Sequence, residues 1–220
     1  MSHIRNCLLP IAALCLMVSC KKEGVFPEDI RPADFYAQFT IEDATGRDTL
    51  FSLRGEDSVP FIPGYSLTIE YLSDAFVRDS IRYIWGGLGV SLFPRPFFIQ
   101  LSNPQPQTDP FVPVEWQAEE LEQLLYPGKT WQLGNAPGEA VIGIADFPDG
   151  LWSFSSAGAD NTQGYLRVLE VSDYGVPDLG TPYFGKKVRF QFTCSVINAD
   201  GETWTLRDGE AVMFFRYYTF

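Results

Sequence analysis

The sequence is almost without histidine, and this scarcity removes several kinds of catalytic and metal chemistry. The single histidine of the 220 residues is His3, which lies in a segment that we expect to be cleaved off, as argued below. The remaining chain then has no imidazole for a Ser-His or Cys-His nucleophile, no His ligand for zinc and no ordinary base that titrates near neutral pH. Serine hydrolases, cysteine hydrolases and zinc enzymes are therefore not expected.

Cysteine is equally scarce beyond the first twenty residues. Cys7, Cys15 and Cys20 account for three of the four cysteines, and the fourth is Cys194, so no disulfide within the mature chain is expected. Cys194 alternates with polar residues in a strand-like run and lies on the apolar side of that run. This position predicts a small buried hydrophobic residue, since nothing nearby in the sequence would lower the thiol pKa as a nucleophile requires.

No apolar run is long enough to span a bilayer. Residues 7–18 form a run of twelve after Arg5, whereas a spanning helix needs about 20 apolar residues. A short apolar run after a basic residue is typical of a cleavable signal peptide. The run ends in Met-Val-Ser-Cys at positions 17–20, which resembles the bacterial lipobox. We therefore expect cleavage of residues 1–19 and lipid on Cys20; an ordinary secretory signal with an incidental cysteine is the alternative.

Basic residues are too few for nucleic-acid binding. The chain has 16 Lys plus Arg and 28 Asp plus Glu. Loss of residues 1–19 removes Arg5 and no acid, which leaves 15 basic residues and a net charge of −13. Because nucleic-acid backbones are bound by clustered Lys and Arg, nucleic acid is not an expected partner. The body is expected to be soluble and held to a membrane only through the lipid on Cys20.

Hydrophobic periodicity predicts an all-β body behind a tether. Residues 20–34 mix charges with Pro and Gly and predict the lipidated cysteine followed by a flexible tether. From Phe35 onward apolar and polar residues alternate, which is typical of half-buried strands. Roughly eleven to thirteen such strands predict an antiparallel two-sheet β-sandwich over residues 35–220. Prolines in residues 103–113 leave a division into two domains open, and helix formers predict one short α-helix at about residues 115–126.

Glycine-containing segments predict where the chain turns. The sequences Asn-Ala-Asp-Gly at 198–201 and Arg-Asp-Gly at 207–209 predict tight turns. These turns would make the C-terminal part a meander of three strands, at residues 187–197, 203–206 and 210–218. The glycine-rich residues 85–89 do not open a helix within a βαβ unit, so they are not a dinucleotide-binding loop. They predict a bend or bulge between strands.

Several of these motifs together resemble a β domain of Bacteroidota lipoproteins. They are residues 127–134 (PGKTWQLG), 164–171 (GYLRVLEV), and the C-terminal Phe-Gln-Phe and Asp-Gly sequences. The resemblance covers about residues 35–220 and departs from the family pattern at Trp131, where Tyr is usual, and at residues 210–212. It implies an exported lipoprotein with a C-terminal β domain, in a family without assigned activity.

The residues after the lipobox indicate the cellular location of the protein. Lys21, directly after Cys20, resembles the sorting pattern of outer-membrane rather than inner-membrane lipoproteins. Glu23 resembles the acidic surface-export signals of the same bacteria. The expected location is the outer membrane, with the lipid-anchored body on the periplasmic side or at the cell surface.

Carboxylate-pair catalysis is the one enzymatic chemistry that the sequence leaves open. Glycoside cleavage needs only two acids at a suitable separation. The acids that cluster in the predicted helix or in the segment 146–150 are Glu115, Glu119, Glu120, Glu122, Asp146 and Asp149. The competing interpretation is that the helical acids form a solvated face and that residues 146–150 form a turn.

Two oxygen-rich segments make calcium the metal ion that this chain would most plausibly bind. Residues 43–48 and residues 160–162 supply carboxylate and hydroxyl oxygens of the kind that Ca²⁺ prefers. Neither segment has the spacing of an EF-hand, and the turn chemistry of Asp, Asn and Thr explains both. No metal site and no cofactor are predicted.

Aromatic residues in turn-rich stretches give the only positive indication of binding. Trp152, Tyr174, Tyr183 and Phe184 could form a platform for a sugar ring or a protein partner; ordinary packing is the alternative. The leading hypothesis is a non-enzymatic binding or structural module whose ligand is carbohydrate or another envelope protein. The alternatives are a carboxylate-dependent glycoside hydrolase and a fimbrial or assembly subunit, which would need an exposed, unpaired edge strand.

Overall fold

The computed structural model describes eight stretches of the chain, at residues 35–55, 58–62, 65–68, 70–89, 96–104, 116–145, 153–176 and 183–217. All of them belong to one compact unit, Ala33–Phe220. The expected signal peptide, the lipidation site Cys20 and the tether up to residue 34 lie outside the described residues. Those three assignments therefore stay predictions.

The described residues form thirteen strands and one helix. The strands are β1 (Tyr36–Glu42), β2 (Asp48–Arg54), β3 (Ser58–Ile62), β4 (Tyr65–Thr68), β5 (Glu70–Arg78), β6 (Ile81–Gly89), β7 (Phe97–Ser102), β8 (Thr130–Trp131), β9 (Ala140–Ala145), β10 (Ser153–Ser155), β11 (Tyr165–Val176), β12 (Tyr183–Ile197) and β13 (Thr203–Tyr217). The helix is α1 (Ala118–Leu124). Strands dominate and every strand pairing is antiparallel, so the predicted all-β, antiparallel class is confirmed.

Eleven strands form one main sheet, and β3 and β4 form a separate hairpin. The path through the main sheet is β2-β1-β13-β12-β10-β9-β7-β6-β5, with β11 also beside β12, and β8 beside β11. The long strand β12 makes this branching possible, because β11 pairs with most of one side while Ser155 of β10 pairs with Ile197 at the end. Strands from both sides of residues 103–113 pair directly, as β7 does with β9 and β1 with β13.

The main sheet curls so that its two halves face each other across the core. At the far end of the path, Ser73 Oγ of β5 accepts a hydrogen bond from the backbone N–H of Arg216 in β13, at 3.0 Å. Phe39, Phe97 and Phe192 from β1, β7 and β12 meet in the interior, with ring centroids 5.5 to 5.7 Å apart. Their burial joins the two layers into a sandwich with one hydrophobic core.

Helix α1 lies where the sequence predicts a helix. It begins after Gln117, whose backbone N–H donates to Glu120 Oε2 at 2.9 Å. Backbone N–H groups at the start of a helix have no partner within the helix, and this side chain supplies one. Leu121, Leu124 and Leu125 are buried against the core. The expected apolar stripe therefore places the helix on the sheet and leaves its acids at the surface.

The glycine-rich residues 85–89 are not a bend or bulge, so that prediction was wrong. They complete β6, which pairs with β5 in unbroken register. Gly86 is required by close packing instead, because a Cβ atom at this position would lie 2.6 Å from the carbonyl oxygen of Phe214. The chain turns earlier, at Asp79 and Ser80, which have φ of 52° and 63° in the tight β5–β6 hairpin.

One of the two predicted C-terminal turns is correct and the other is a β-bulge. At residues 198–201 the turn forms, with Gly201 at φ 84°. Residues 207–209, however, lie inside the continuous strand β13. Asp208 has φ 52°, and the register of β13 against both neighbours shifts beside it. The predicted meander of three strands is therefore two long strands, β12 and β13.

Candidate functional site

The structure describes only part of the predicted aromatic site. Trp152 lies outside the described residues, as do the candidate acids Glu115, Asp146 and Asp149. Tyr183 begins β12, where its backbone pairs with Val176 of β11. The remaining two aromatic residues, Tyr174 in β11 and Phe184 in β12, have described side chains.

Tyr174 belongs to a packed aromatic group on one face of the sheet. Its ring makes edge contacts with Phe35 and Phe214, at centroid distances of 5.0 and 5.9 Å. Both phenylalanines are buried, and Lys187 Nζ lies 5.8 Å from the centre of the Tyr174 ring. Tyr174 is half-buried in this group, which is the packing role that the sequence left open as the alternative to a platform.

Phe184 is exposed but does not share a face with Tyr174. Its side chain is 40% exposed. In the β11–β12 register Tyr174 pairs with Gly185, while Phe184 pairs with Gly175. Cross-strand partners share a face and successive residues alternate, so Tyr174 and Phe184 point to opposite faces. The described part of the predicted aromatic platform is thus divided between two surfaces.

The candidate acid Glu120 is held by a buried arginine. Arg82 of β6, only 3% exposed, donates to both carboxylate oxygens of Glu120 at 2.8 and 3.0 Å. Its guanidinium also lies 4.4 Å from the centre of the Trp116 ring. Burial by itself would raise the pKa of Glu120, but the hydrogen bonds from Arg82 and the backbone outweigh it and lower the pKa. Glu120 thus ties α1 to β6 through an ion pair in which its ionised form is favoured.

The candidate acid Glu122 takes part in a second ion cluster. Lys186 Nζ of β12 lies 2.8 Å from Glu122 Oε1 and 2.7 Å from Asp173 Oδ1. Burial works to lower the pKa of Lys186, but the bonds to both carboxylates outweigh it and raise the pKa. A catalytic lysine base or nucleophile needs a lowered pKa. Lys186 therefore acts as a fixed cation that joins α1, β11 and β12.

A third polar cluster spans four neighbouring strands. Arg189 of β12 donates to both oxygens of Glu210 in β13, at 3.1 and 3.0 Å, and to Glu170 of β11 at 3.0 Å. The Tyr36 hydroxyl of β1 donates to Glu210. Burial, together with the anionic neighbour Glu210, raises the pKa of Tyr36 to about 12. These side chains cross-link strands rather than present a reactive group.

Four described carboxyl groups have a shifted pKa, and the direction of the shift bears on whether those groups could act as general acids. A glycoside hydrolase needs one carboxyl group whose pKa is raised so that it carries a proton. The described carboxyl groups with a shifted pKa all have it lowered, and they are Asp43, Glu120, Asp160 and Glu210. Each of them accepts hydrogen bonds that favour its ionised form.

The two oxygen-rich segments are turns, as the sequence predicts. Asp43 Oδ1 accepts hydrogen bonds from the backbone N–H groups of Thr45 and Arg47 and from the Thr45 hydroxyl. Asp160 Oδ1 accepts from the backbone and the hydroxyl of Thr162. The carboxylates thus stabilise local turns. Among the described residues no group of three or more His, Cys, Asp or Glu side chains could hold a metal ion.

Cys194 is a buried core residue, which confirms the prediction. Its side chain is 2% exposed and packs within the hydrophobic core. Burial raises the pKa of its thiol, so the reactive thiolate form is suppressed.

Strand β2 lies at one end of the path through the main sheet, a position that the sequence did not indicate. It pairs with β1 along its whole length and with no other described strand. Asp48, Thr49, Leu50 and Ser52 are exposed. Leu50, at 57%, is the most exposed of the large hydrophobic side chains that the structure describes. Phe51 stacks on a core phenylalanine at 4.5 Å, which fixes the strand to the body.

The hydrogen-bond phase of β2 shows which backbone groups face its open edge. At its ends, Gly55 N–H donates to the Phe35 carbonyl at 2.8 Å, and Asp43 N–H donates to the Arg47 carbonyl at 3.0 Å. In an antiparallel ladder every second residue bonds to the same neighbour. The odd-numbered residues of β2 therefore bond to β1. The even-numbered residues direct their N–H and C=O groups away from β1, and these are Asp48, Leu50, Ser52 and Arg54.

Comparison with known proteins adds no relative to this picture. No protein-family model, curated protein or solved structure matches the chain. In the described part of the chain, no helix is both long enough and apolar enough to cross a membrane.

Proposed function

We propose that this chain is an outer-membrane lipoprotein of the Bacteroidota type that acts as a non-enzymatic structural or binding module. Its anchor is the lipid on Cys20, and its partner is another envelope protein that pairs with the open edge of β2. The single observation that carries the proposal is that edge, because an extended segment can add to it through main-chain hydrogen bonds. It is the feature that an assembly subunit requires.

The polar side chains support a structural rather than a catalytic role. Glu120, Lys186 and Arg189 are each engaged in ion pairs that connect different elements of the fold. The pKa values of Glu120 and Glu210 are lowered and that of Lys186 is raised, so these groups keep their charge. Acid–base catalysis needs instead a group that exchanges its proton near the working pH. A protein partner is favoured over carbohydrate because Tyr174 and Phe184 do not form one platform.

The anchor is tested by metabolic labelling with a clickable palmitate analogue. We expect the wild-type chain to be labelled and to sediment with membranes, and the Cys20→Ser variant to lose both properties, because the thiol is the acceptor of the lipid. A wild-type chain without label, or a Cys20→Ser variant that stays equally membrane-bound, would contradict the anchor.

The edge is tested with a photo-crosslinking amino acid placed at Leu50, in cells that make the full chain. We expect crosslinks to a defined envelope protein from position 50, because an added strand would lie within reach of that side chain. The matched control is the same amino acid at Val77, an exposed position on the edge strand β5. No crosslink at position 50, or an equal pattern at both positions, would refute the proposed use of β2.

A further inference from the structure

We infer that the partner of β2 is the β2 strand of a second copy of this chain. The two strands run antiparallel about a two-fold axis at Phe51, so that the two main sheets become one. This inference rests on the proposed function and deepens it by naming the occupant of the edge. The pairing is isologous, since the same seven residues contribute from both copies.

Hydrogen-bond geometry restricts the register of this pairing. Only even-numbered residues direct backbone groups to the open edge, so each must lie opposite an even-numbered residue of the second copy. An axis at Phe51 meets this requirement, because it places Leu50 opposite Ser52 of the second copy. It also uses all seven residues of both strands. Moving the axis to Leu50 or to Ser52 still places even-numbered residues opposite even-numbered residues. However, one end of each strand then extends beyond the end of the other strand and is left unpaired.

Charge selects the same register. β2 begins with the acidic Asp48 and ends with the basic Arg54. With the axis at Phe51, Asp48 of each copy lies opposite Arg54 of the other copy, so residues of opposite charge become neighbours at both ends of the pairing. With the axis at Leu50, Asp48 would lie opposite Ser52, and the charge pairs would be lost. Asp48 also accepts a hydrogen bond from Arg207 at 2.6 Å, which orders its carboxylate beside the edge.

The exposed leucine gives the pairing an apolar centre. Leu50 alternates with the half-buried Phe51, so its side chain stands on the solvent face of the sheet. About the proposed axis the two Leu50 side chains are diagonal neighbours on that face, a separation that long side chains bridge. Pairing would bury part of the most exposed large hydrophobic side chain of the described structure.

Strand β2 lacks the features that keep natural edge strands apart. Such edges usually carry Pro or Lys, or contain a bulge that twists the strand away. β2 has the sequence Asp-Thr-Leu-Phe-Ser-Leu-Arg, and its register against β1 is unbroken. Its two charges lie at its ends, where they favour the proposed pairing. β5, the strand at the other end of the path through the main sheet, carries Asp74 in its middle and contacts β13 through Ser73.

Self-association of the full chain in detergent micelles tests the inference. Sedimentation velocity over a concentration series should show a monomer–dimer equilibrium for the wild-type chain. Leu50→Lys should raise the dimer Kd by at least about tenfold, because it places two like charges side by side at the axis. Ser52→Pro should act similarly, since it removes an N–H that faces the edge and no bond to β1. Val77→Lys, the same kind of change on β5, should leave the Kd unchanged.

Disulfide trapping tests the register. Leu50 and Ser52 of the other copy would be directly opposite, at a Cα separation within the range that a disulfide spans. A mixture of the Leu50→Cys and Ser52→Cys variants should therefore form covalent heterodimers on mild oxidation, in clear excess over either variant alone. The parent chain under the same oxidation gives the background. Preferential homodimers of the Leu50→Cys variant would place the axis at Leu50 and overturn the inferred register.

The outcomes separate this inference from the proposed function. A wild-type chain that stays monomeric at all concentrations, or a dimer that neither Leu50→Lys nor Ser52→Pro weakens, overturns the second-copy inference. If such a chain still crosslinks from position 50 to a different envelope protein, the proposed function stands without it. If position 50 gives no crosslink at all, both fall.

Discussion

Removal of the Glu120 carboxylate tests whether the buried ion pair fixes helix α1 to the sheet. The Glu120→Ala variant removes the carboxylate that accepts two hydrogen bonds from the buried guanidinium of Arg82. Breaking a buried ion pair by removing one member costs about 3–5 kcal/mol. The Glu120 side chain is 37% exposed, so water enters the vacated space and solvates Arg82 in part. The expected loss of unfolding free energy is therefore lower, about 2–3 kcal/mol.

Urea unfolding measures this loss against a close control. With a slope of about 2–3 kcal/mol per molar urea for a domain of this size, the midpoint of Glu120→Ala should fall by about 1 M. The control is Glu119→Ala, which removes an exposed acid from the preceding position of the same helix. Its cost should stay within about 0.5 kcal/mol. Equal midpoints for the two variants would refute the reasoning.

The pH dependence provides a second check with a defined sign. The pKa of Glu120 is lowered in the folded protein from its ordinary value of 4.5. Its contribution to stability is therefore fully present above the unfolded pKa and is lost as the pH falls through the folded pKa. The stability difference between wild type and Glu120→Ala should be constant from about pH 6 to 8 and should shrink below about pH 4. A difference that is unchanged down to the acid unfolding of the wild type would contradict the ion-pair explanation.

Two further predictions concern the core. Gly86→Ala places a Cβ atom 2.6 Å from the carbonyl oxygen of Phe214. It should therefore lower the free energy of unfolding by about 1–3 kcal/mol and lower Tm by several degrees in a thermal scan. The control is Gly175→Ala, whose Cβ would lie 3.7 Å from the Phe184 ring and which should change Tm little. Cys194 should not react with a disulfide reagent in the native protein at pH 8 and should react after unfolding, measured as the difference from a Cys194→Ala variant; rapid labelling of the native thiol would contradict its burial.

The sequence predicts strands and the helix well where local periodicity decides them. The alternation after Phe35 gives β1, and the apolar stripe of Leu121, Leu124 and Leu125 gives α1. The prediction is wrong where the same short sequence motif is compatible with two different local structures. Asp208 adopts the positive φ that its turn-like sequence suggests, but inside a long strand this produces a bulge. Gly86 is small because β13 approaches it closely, and only the tertiary contact distinguishes that cause from a bend.

The site could be predicted less well, because its features depend on how strands are ordered. The sequence predicts strands throughout this part of the chain, but nothing local shows that β2 ends the sheet. The division of Tyr174 from Phe184 follows from their register across β11 and β12, which composition cannot give. The partners of Glu120 and Glu122 come from β6, β11 and β12, so their pairing with Arg82 and Lys186 depends on the same topology.

The two ends of the main sheet show how differently an edge strand can be treated. β5 curls back until Ser73 bonds to β13, so its edge is partly covered by the chain itself. A single Lys in place of Leu50 would protect β2, because that side chain is 57% exposed on the solvent face of the sheet. The chain instead has a large hydrophobic residue there, with opposite charges at the two strand ends. An edge of this composition gains free energy by pairing with its own copy, and this gain is what Leu50→Lys would abolish.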